Sequence, residues 1–257
     1  MATSLNYKDK KQICLYLTDL WNDKIQGVEP PTVDNRWTKR DFIDFIHRRL
    51  RIKLSEVEFR DIVNEMQTRE YAALIAPGVD YYFTDDPDEI EKAIEKKRNY
   101  IVTTRGTIFS LQKSAGKPMD KDLYDAIEES INPSDDVKKW AEFLLDIFSG
   151  GRKDIPKPTA HRKYNDPLLR RFIKEEFGLD KKISDPDWSS TTRYARLISD
   201  EGVAILSNSR GYWAAADRYE ILQTVQLYEG KRDSMMGTII GLEKLKGRKK
   251  KKNGKLF

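Results

Sequence analysis

Apolar residues along this chain follow two rhythms in turn. In "TKRDFIDFIHRRLRI" Phe42, Ile43, Phe45 and Ile46 recur at helical spacing, and in "DPLLRRFIKEEFGL" Leu168, Leu169, Phe172 and Ile173 do the same. Both stretches predict amphipathic helices with one face toward a core. "LSEVEFRDIVNEMQ" and "SSTTRYARLISDEG" follow them, each with Ser or Thr near its start, whose side-chain oxygen can cap free backbone N–H groups. The rhythm then shortens. "AALIA" with "DYYFT", and "VAILS" with "GYWAA", predict two-stranded hairpins. Next comes a helix with an aspartate near its start (Asp86, Asp217), then another run ending in "GTI…L.K". "NYKDKKQICLYLTDLWNDK" and "DDVKKWAEFLLDIFSG" predict a helix ahead of each set, and "SGGRKDIPKPTAHRKYNDP" reads as a loop.

The two sets are one pattern used twice. A shift of 131 positions aligns Asp80–Lys113 with Gly211–Lys244 without a gap, with nine identical pairs in 34 positions. The block "GTI-x-x-L-x-K" falls in register in both. Each half therefore reads as helix, helix, two-stranded hairpin, helix, helix. The expected fold class is mainly α with small β-hairpins (α+β), arranged as tandem winged helix-turn-helix domains. The boundary is expected between Ala115 and Pro133, giving an N-terminal domain over 1–116, a C-terminal domain over 117–246 and a disordered polybasic tail over 247–257.

Composition sharpens this picture in two respects. No run of eighteen apolar residues exists and "MATSLNYKDKKQ" lacks the apolar segment of a signal peptide, so a soluble, cytoplasmic protein without a membrane partner is expected. The single Cys14 excludes an internal disulfide and a multi-Cys zinc site. The net charge of +5 is misleading, because the last fourteen residues carry eight Lys/Arg and no acid, leaving 5 − 8 = −3 for the rest. The basic balance describes a tail, so charge alone is no argument for a nucleic-acid-binding body.

Enzymatic constellations are scarce. His47 and His161 stand in different halves, and no phosphate-cradling or nucleophile-elbow motif occurs. Acid–Lys strings such as "DPDEIEKAIEKK" fall at helical spacing and read as solvated faces. No enzymatic activity, cofactor or metal is expected. Nucleic-acid contacts are better motivated, and unevenly between the halves. In the second, Ser189, Ser190, Thr191 and Thr192 would offer short donors to phosphates at a helix N-terminus, while Arg193 and Arg196 would share one face and enter the major groove. Asn208, Ser209 and Arg210 would form a wing tip, with Gly211 supplying the positive φ of a tight hairpin. Arg152, Lys153, Lys157, Arg162, Lys163, Arg170 and Arg171 form a basic approach to this domain, and Lys249, Lys250, Lys251 and Lys252 add salt-sensitive, sequence-independent affinity. In the first half the corresponding helix carries Glu56, Glu58, Asp61 and Glu65 against Arg60, and the tip reads "PGVD". Acids repel phosphate, so that half is expected to serve protein contacts or to support the second.

The residues Gly202, Ile205, Ser207, Ser209, Gly211, Tyr212, Trp213, Glu220 and Ile221, in "EGVAILSNSRGYWAAADRYEIL", resemble the winged-helix module of bacteriophage and prophage proteins. The tandem plan is similar to that of plasmid-type replication initiators. The resemblance implies double-stranded-DNA binding, in replication initiation or related DNA metabolism. In the first half "DYYFT" replaces "GYWAA" and the tip arginine is missing. Four alternatives stand beside this reading. They are a transcriptional regulator, an interaction adaptor whose only nucleic-acid element is the tail, a restriction-type nuclease, and a single-strand binder that stacks bases on Tyr81, Tyr82, Tyr212 and Trp213.

Overall fold

The computed structural model of the chain describes residues 5–76, 78–118, 121–200 and 202–246, and is mainly helical with small antiparallel sheets. Among these residues no helix is long and apolar enough to cross a membrane. The chain divides into two compact units, which are not contiguous stretches. One holds the residues up to Ile101 together with those from Asp233 on, and the other holds Val102–Arg232.

In the first unit, α1 (Tyr7–Trp21) buries Ile13, Cys14, Leu17 and Leu20, one face at helical spacing. Strand β1 (Trp37–Thr38) leads into α2 (Lys39–Leu50), which opens with a capping box between Thr38 and Asp41. α3 (Glu56–Thr68) repeats the device with Ser55 and Glu58. β2 (Leu74–Ile75) and β3 (Asp80–Phe83) complete an antiparallel sheet of order β1-β3-β2, with Trp37 opposite Tyr81 and Leu74 opposite Phe83. Alternation along β3 divides its side chains. Tyr81 and Phe83 join Phe42, Phe59 and the other helix residues, while Tyr82 faces a second cluster with Ala73 and Ile75. That cluster contains Ile90, Ile94 and Ile101 from α4 (Pro87–Ser114).

The second unit repeats the plan. After α5 (Lys121–Ile131) come α6 (Asp135–Ser149), α7 (Asp166–Phe177) and α8 (Asp185–Ile198), then the hairpin β4 (Ile205–Asn208) and β5 (Gly211–Ala214). An isolated bridge from Tyr164 to Tyr212 stands where β1 pairs with β3 in the first unit. Here too β5 alternates: Ala214 joins the helix core with Tyr212 packed against it, while Trp213 packs on a second cluster with Ala204, Leu206, Ile221 and Val225. The last two residues belong to α9 (Arg218–Lys246).

Hydrogen bonds recur at the 131-residue spacing. Thr84 N donates to Ala73 O at 3.0 Å as Ala215 N does to Ala204 O at 2.9 Å. The Phe83 amide donates to Pro31 O as the Ala214 amide does to Pro158 O, 127 residues further on. Tyr82 Oη donates to Glu89 as Trp213 Nε1 donates to Glu220.

Two expectations are corrected here. The two last helical runs of each half are single helices, α4 and α9, of 28 and 29 residues. The two compact units meet inside those helices, at Ile101/Val102 and Arg232/Asp233. The reason is burial. The end of α9 contributes Ile239, Leu242 and Leu245 to the first unit's second cluster, and the end of α4 contributes Ile108 and Leu111, with Ala115 just past it, to that of the second unit. Finally, α8 begins at Asp185, four residues before Ser189, with Ser184 as its N-cap. The expected tail over 247–257 lies outside the described residues.

Candidate nucleic-acid interface

The expected reading helix of the second half is α8, and its geometry departs from expectation. Its free first-turn N–H groups belong to the segment after Ser184, whose Oγ accepts from Asp187 N at 3.2 Å. That turn carries Asp185 and Asp187, so carboxylates stand where phosphate donors were expected. Ser189 is exposed and Ser190 half-buried. Thr191 and Thr192 point inward: both are buried, and their Oγ1 atoms donate to the carbonyls of Asp187 at 2.7 Å and Ser189 at 3.1 Å.

Arg196 is only 9% exposed. Its Nε donates to Ile205 O at 2.9 Å, its Nη2 to Ser207 Oγ at 2.8 Å, and its guanidinium stands over the Tyr212 ring. It ties α8 to β4. Arg193 is half-buried, with Nη2 3.4 Å from Ser130 Oγ on α5, and burial lowers its pKa. Tyr194 Oη donates to Glu128 on the same helix at 3.0 Å. Helix α5, ahead of α6, therefore covers the middle of α8.

The tip of the β4–β5 hairpin is open. Asn208, Ser209 and Arg210 are exposed, and Asn208 Oδ1 accepts from Arg210 N at 2.9 Å. Within this turn the positive φ falls on Gly211, at 127°. Glycine is required there for space as well, because a Cβ would lie 2.5 Å from Tyr164 O. That close approach comes from the Tyr164–Tyr212 bridge, which lays the basic approach segment along the hairpin. Lys163 Nζ accordingly sits 4.0 Å from the Trp213 ring centroid, a cation–π contact. Arg162 and Lys153 are exposed. Arg152 is committed elsewhere: it binds Asp154 and Glu176 at 2.8–2.9 Å and lies over Phe143. Its hydrogen bonds lower the pKa of both carboxylates. Lys249, Lys250, Lys251 and Lys252 lie outside the described residues.

In the first unit the corresponding helix α3 exposes Glu56, Arg60 and Asp61, and the exposed tip residue Val79 is apolar. Glu56 is paired with Lys39 at 2.7 Å. His47 is half-buried and His161 exposed. Among the described residues no group of His, Cys, Asp and Glu is arranged to hold a metal ion.

Arg170 and Arg171, the end of the basic approach run, share a cleft with two cations that the sequence reading missed: Lys174, also on α7, and Lys182 in the following turn. The signal was present in the i, i+3, i+4, i+7 spacing of 167, 170, 171 and 174, but the same spacing describes any solvated helix face. Comparison with protein-family models, curated proteins and solved structures finds no match for this chain.

Proposed function

We propose that the chain is a DNA-binding protein of two winged-helix units, in which the Val102–Arg232 unit makes the duplex contact. The observation that carries this reading is the element order: helix, an edge segment (β1 in the first unit, the single bridging residue Tyr164 in the second), two helices, then a hairpin whose second strand pairs with that segment. It occurs twice, and in the second unit it leaves Asn208–Arg210 free at the tip. A two-stranded ribbon with a cationic tip fits a DNA groove, and flanking lysines and arginines hold phosphates. The contact is assigned to Arg210, Lys163, Arg162 and Lys153, with Ser189 and Ser190 at its margin. Arg196, Thr191 and Thr192 serve to hold the wing and α8 in place. The process proposed first is replication initiation of phage or plasmid type, with transcriptional regulation second. The first unit, with its exposed carboxylates on α3, suits a protein contact better than a phosphate one.

The test is fluorescence anisotropy with labelled duplex over a salt series. Arg210→Ala combined with Lys163→Ala should flatten the logarithmic salt dependence by about 0.9 per lost phosphate contact. Wild-type protein that binds no duplex at low salt, or a double variant with the wild-type slope, would remove the assignment.

A further inference from the structure

The cleft at the start of α7 holds a second concentration of positive charge, distinct from the wing. It measures about 440 Å³. Arg170, Arg171 and Lys174 enter it from one face of α7, Lys182 enters from the turn before α8, and Asp166 and Asp185 stand at its edges. Four cations against two carboxylates leave the cleft with an excess of two positive charges. Arg170 is held in place, its Nη1 donating to Ile183 O at 2.9 Å and its Nη2 lying 2.8 Å from Asp185 Oδ1. Its guanidinium also rests over the Trp188 ring. The other three cations are less committed. Arg171 has a long, exposed contact to Glu175 at 3.6 Å, and Lys174 Nζ reaches only the Asp180 carbonyl, at 3.4 Å. Lys182 is exposed.

We propose that this cleft seats a phosphate group. A rigid guanidinium beside mobile ammonium and guanidinium groups suits a compact dianion or a diester oxygen pair, which forked donors bind bidentately. The position fits the wing as well. Gly211 lies against Asn165, whose neighbour Asp166 begins the cleft, so wing tip and cleft adjoin. On the DNA-binding reading, on which this assignment partly rests, the phosphate belongs to the duplex backbone. A free phosphate ester is the other source.

The test uses the full chain and the variant Arg171→Gln/Lys182→Gln, whose changes fall on exposed side chains and should leave the circular-dichroism melt unchanged. Two readouts separate the sources. If the backbone phosphate is the ligand, the double variant lowers the salt slope of duplex binding by about 1.8, two contacts' worth. If free phosphate is the ligand, pyrophosphate at matched ionic strength raises the melting temperature of the wild type and not of the variant. That second outcome upholds the cleft even if the wild type binds no duplex and the DNA-binding reading falls. A variant that keeps both the wild-type slope and the wild-type response to pyrophosphate overturns the proposal.

Discussion

The most informative perturbation is Leu242→Ala. Leu242 comes late in the chain, in the repeat whose hairpin is β4–β5, yet its side chain is fully buried in a cluster with Ala73, Ile75 and Tyr82 of the first hairpin. Leu111, its counterpart 131 residues earlier, is 2% exposed and packs with Ala204, Leu206 and Ala215 of the second hairpin. Removing a fully buried leucine side chain costs about 2–5 kcal/mol, through lost transfer energy and the cavity left behind. At about 3 kcal/mol, and tenfold per 1.4 kcal/mol, amide exchange limited by opening of that cluster accelerates somewhat more than a hundredfold. Hydrogen exchange read by mass spectrometry should therefore show Leu242→Ala deprotecting the peptides over 72–76 and 80–83, while those over 204–208 and 211–214 keep their protection. Leu111→Ala should do the reverse. If each variant deprotects the hairpin of its own half of the sequence, the exchange of helix ends described here is wrong.

Three further outcomes follow from particular contacts. Arg196→Ala leaves Ile205 O and Ser207 without their donor inside the second unit, so it should lower stability by about 1–3 kcal/mol in urea titration; unchanged stability with altered sequence preference would restore it as a base reader. Two helical glycines of α9 should respond in opposite directions to alanine. Gly230 faces open space and should gain about 0.4–1 kcal/mol, whereas at Gly241 a Cβ would meet Gln67 O at 1.9 Å, so the melting temperature should fall; equal shifts would contradict the packing. Cys14 is pushed up from 9.0 to about 12, chiefly by burial and secondarily by Glu65. The unfolded chain releases this proton above pH 9 and the folded chain keeps it, so the contribution is whole below pH 9 and is lost as pH rises from 9 toward 12. Urea midpoints over that range should fall more gently in Cys14→Ala, and a thiol reagent should label native Cys14 only on unfolding.

Much of the fold is legible in local pattern. Helix spacing marks α2 and α7, the expected stripes are the faces that pack, and Phe42, Phe45 and Ile46 are buried with Ile43 beside them. The hairpins fall where the alternating segments stand. The 131-residue repeat surfaces again as recurring hydrogen bonds, because matching positions close the same backbone contacts and an aromatic donor, Tyr82 or Trp213, meets the matching glutamate. The exposed hairpin tip was legible for a similar reason: a polar turn between two apolar strands has no core to enter.

What sequence could not supply is the partner of each face. Arg193 and Arg196 are three apart whether they face a groove or a core, and only the packing of α8 against β4 and α5 decides that one is tied down and the other covered. Arg152 reads as a free cation until Asp154 and Glu176 are found around it. The cleft cations stand along a helix and a turn that fold brings to one place. The largest difference concerns the long helices. The sequence marked a helix start at Asp86 and Asp217 and a further run ending in "GTI…L.K", but not that each pair is one continuous helix. Which hairpin each end completes depends on residues more than 80 positions away, and burial against them exists only in the folded chain.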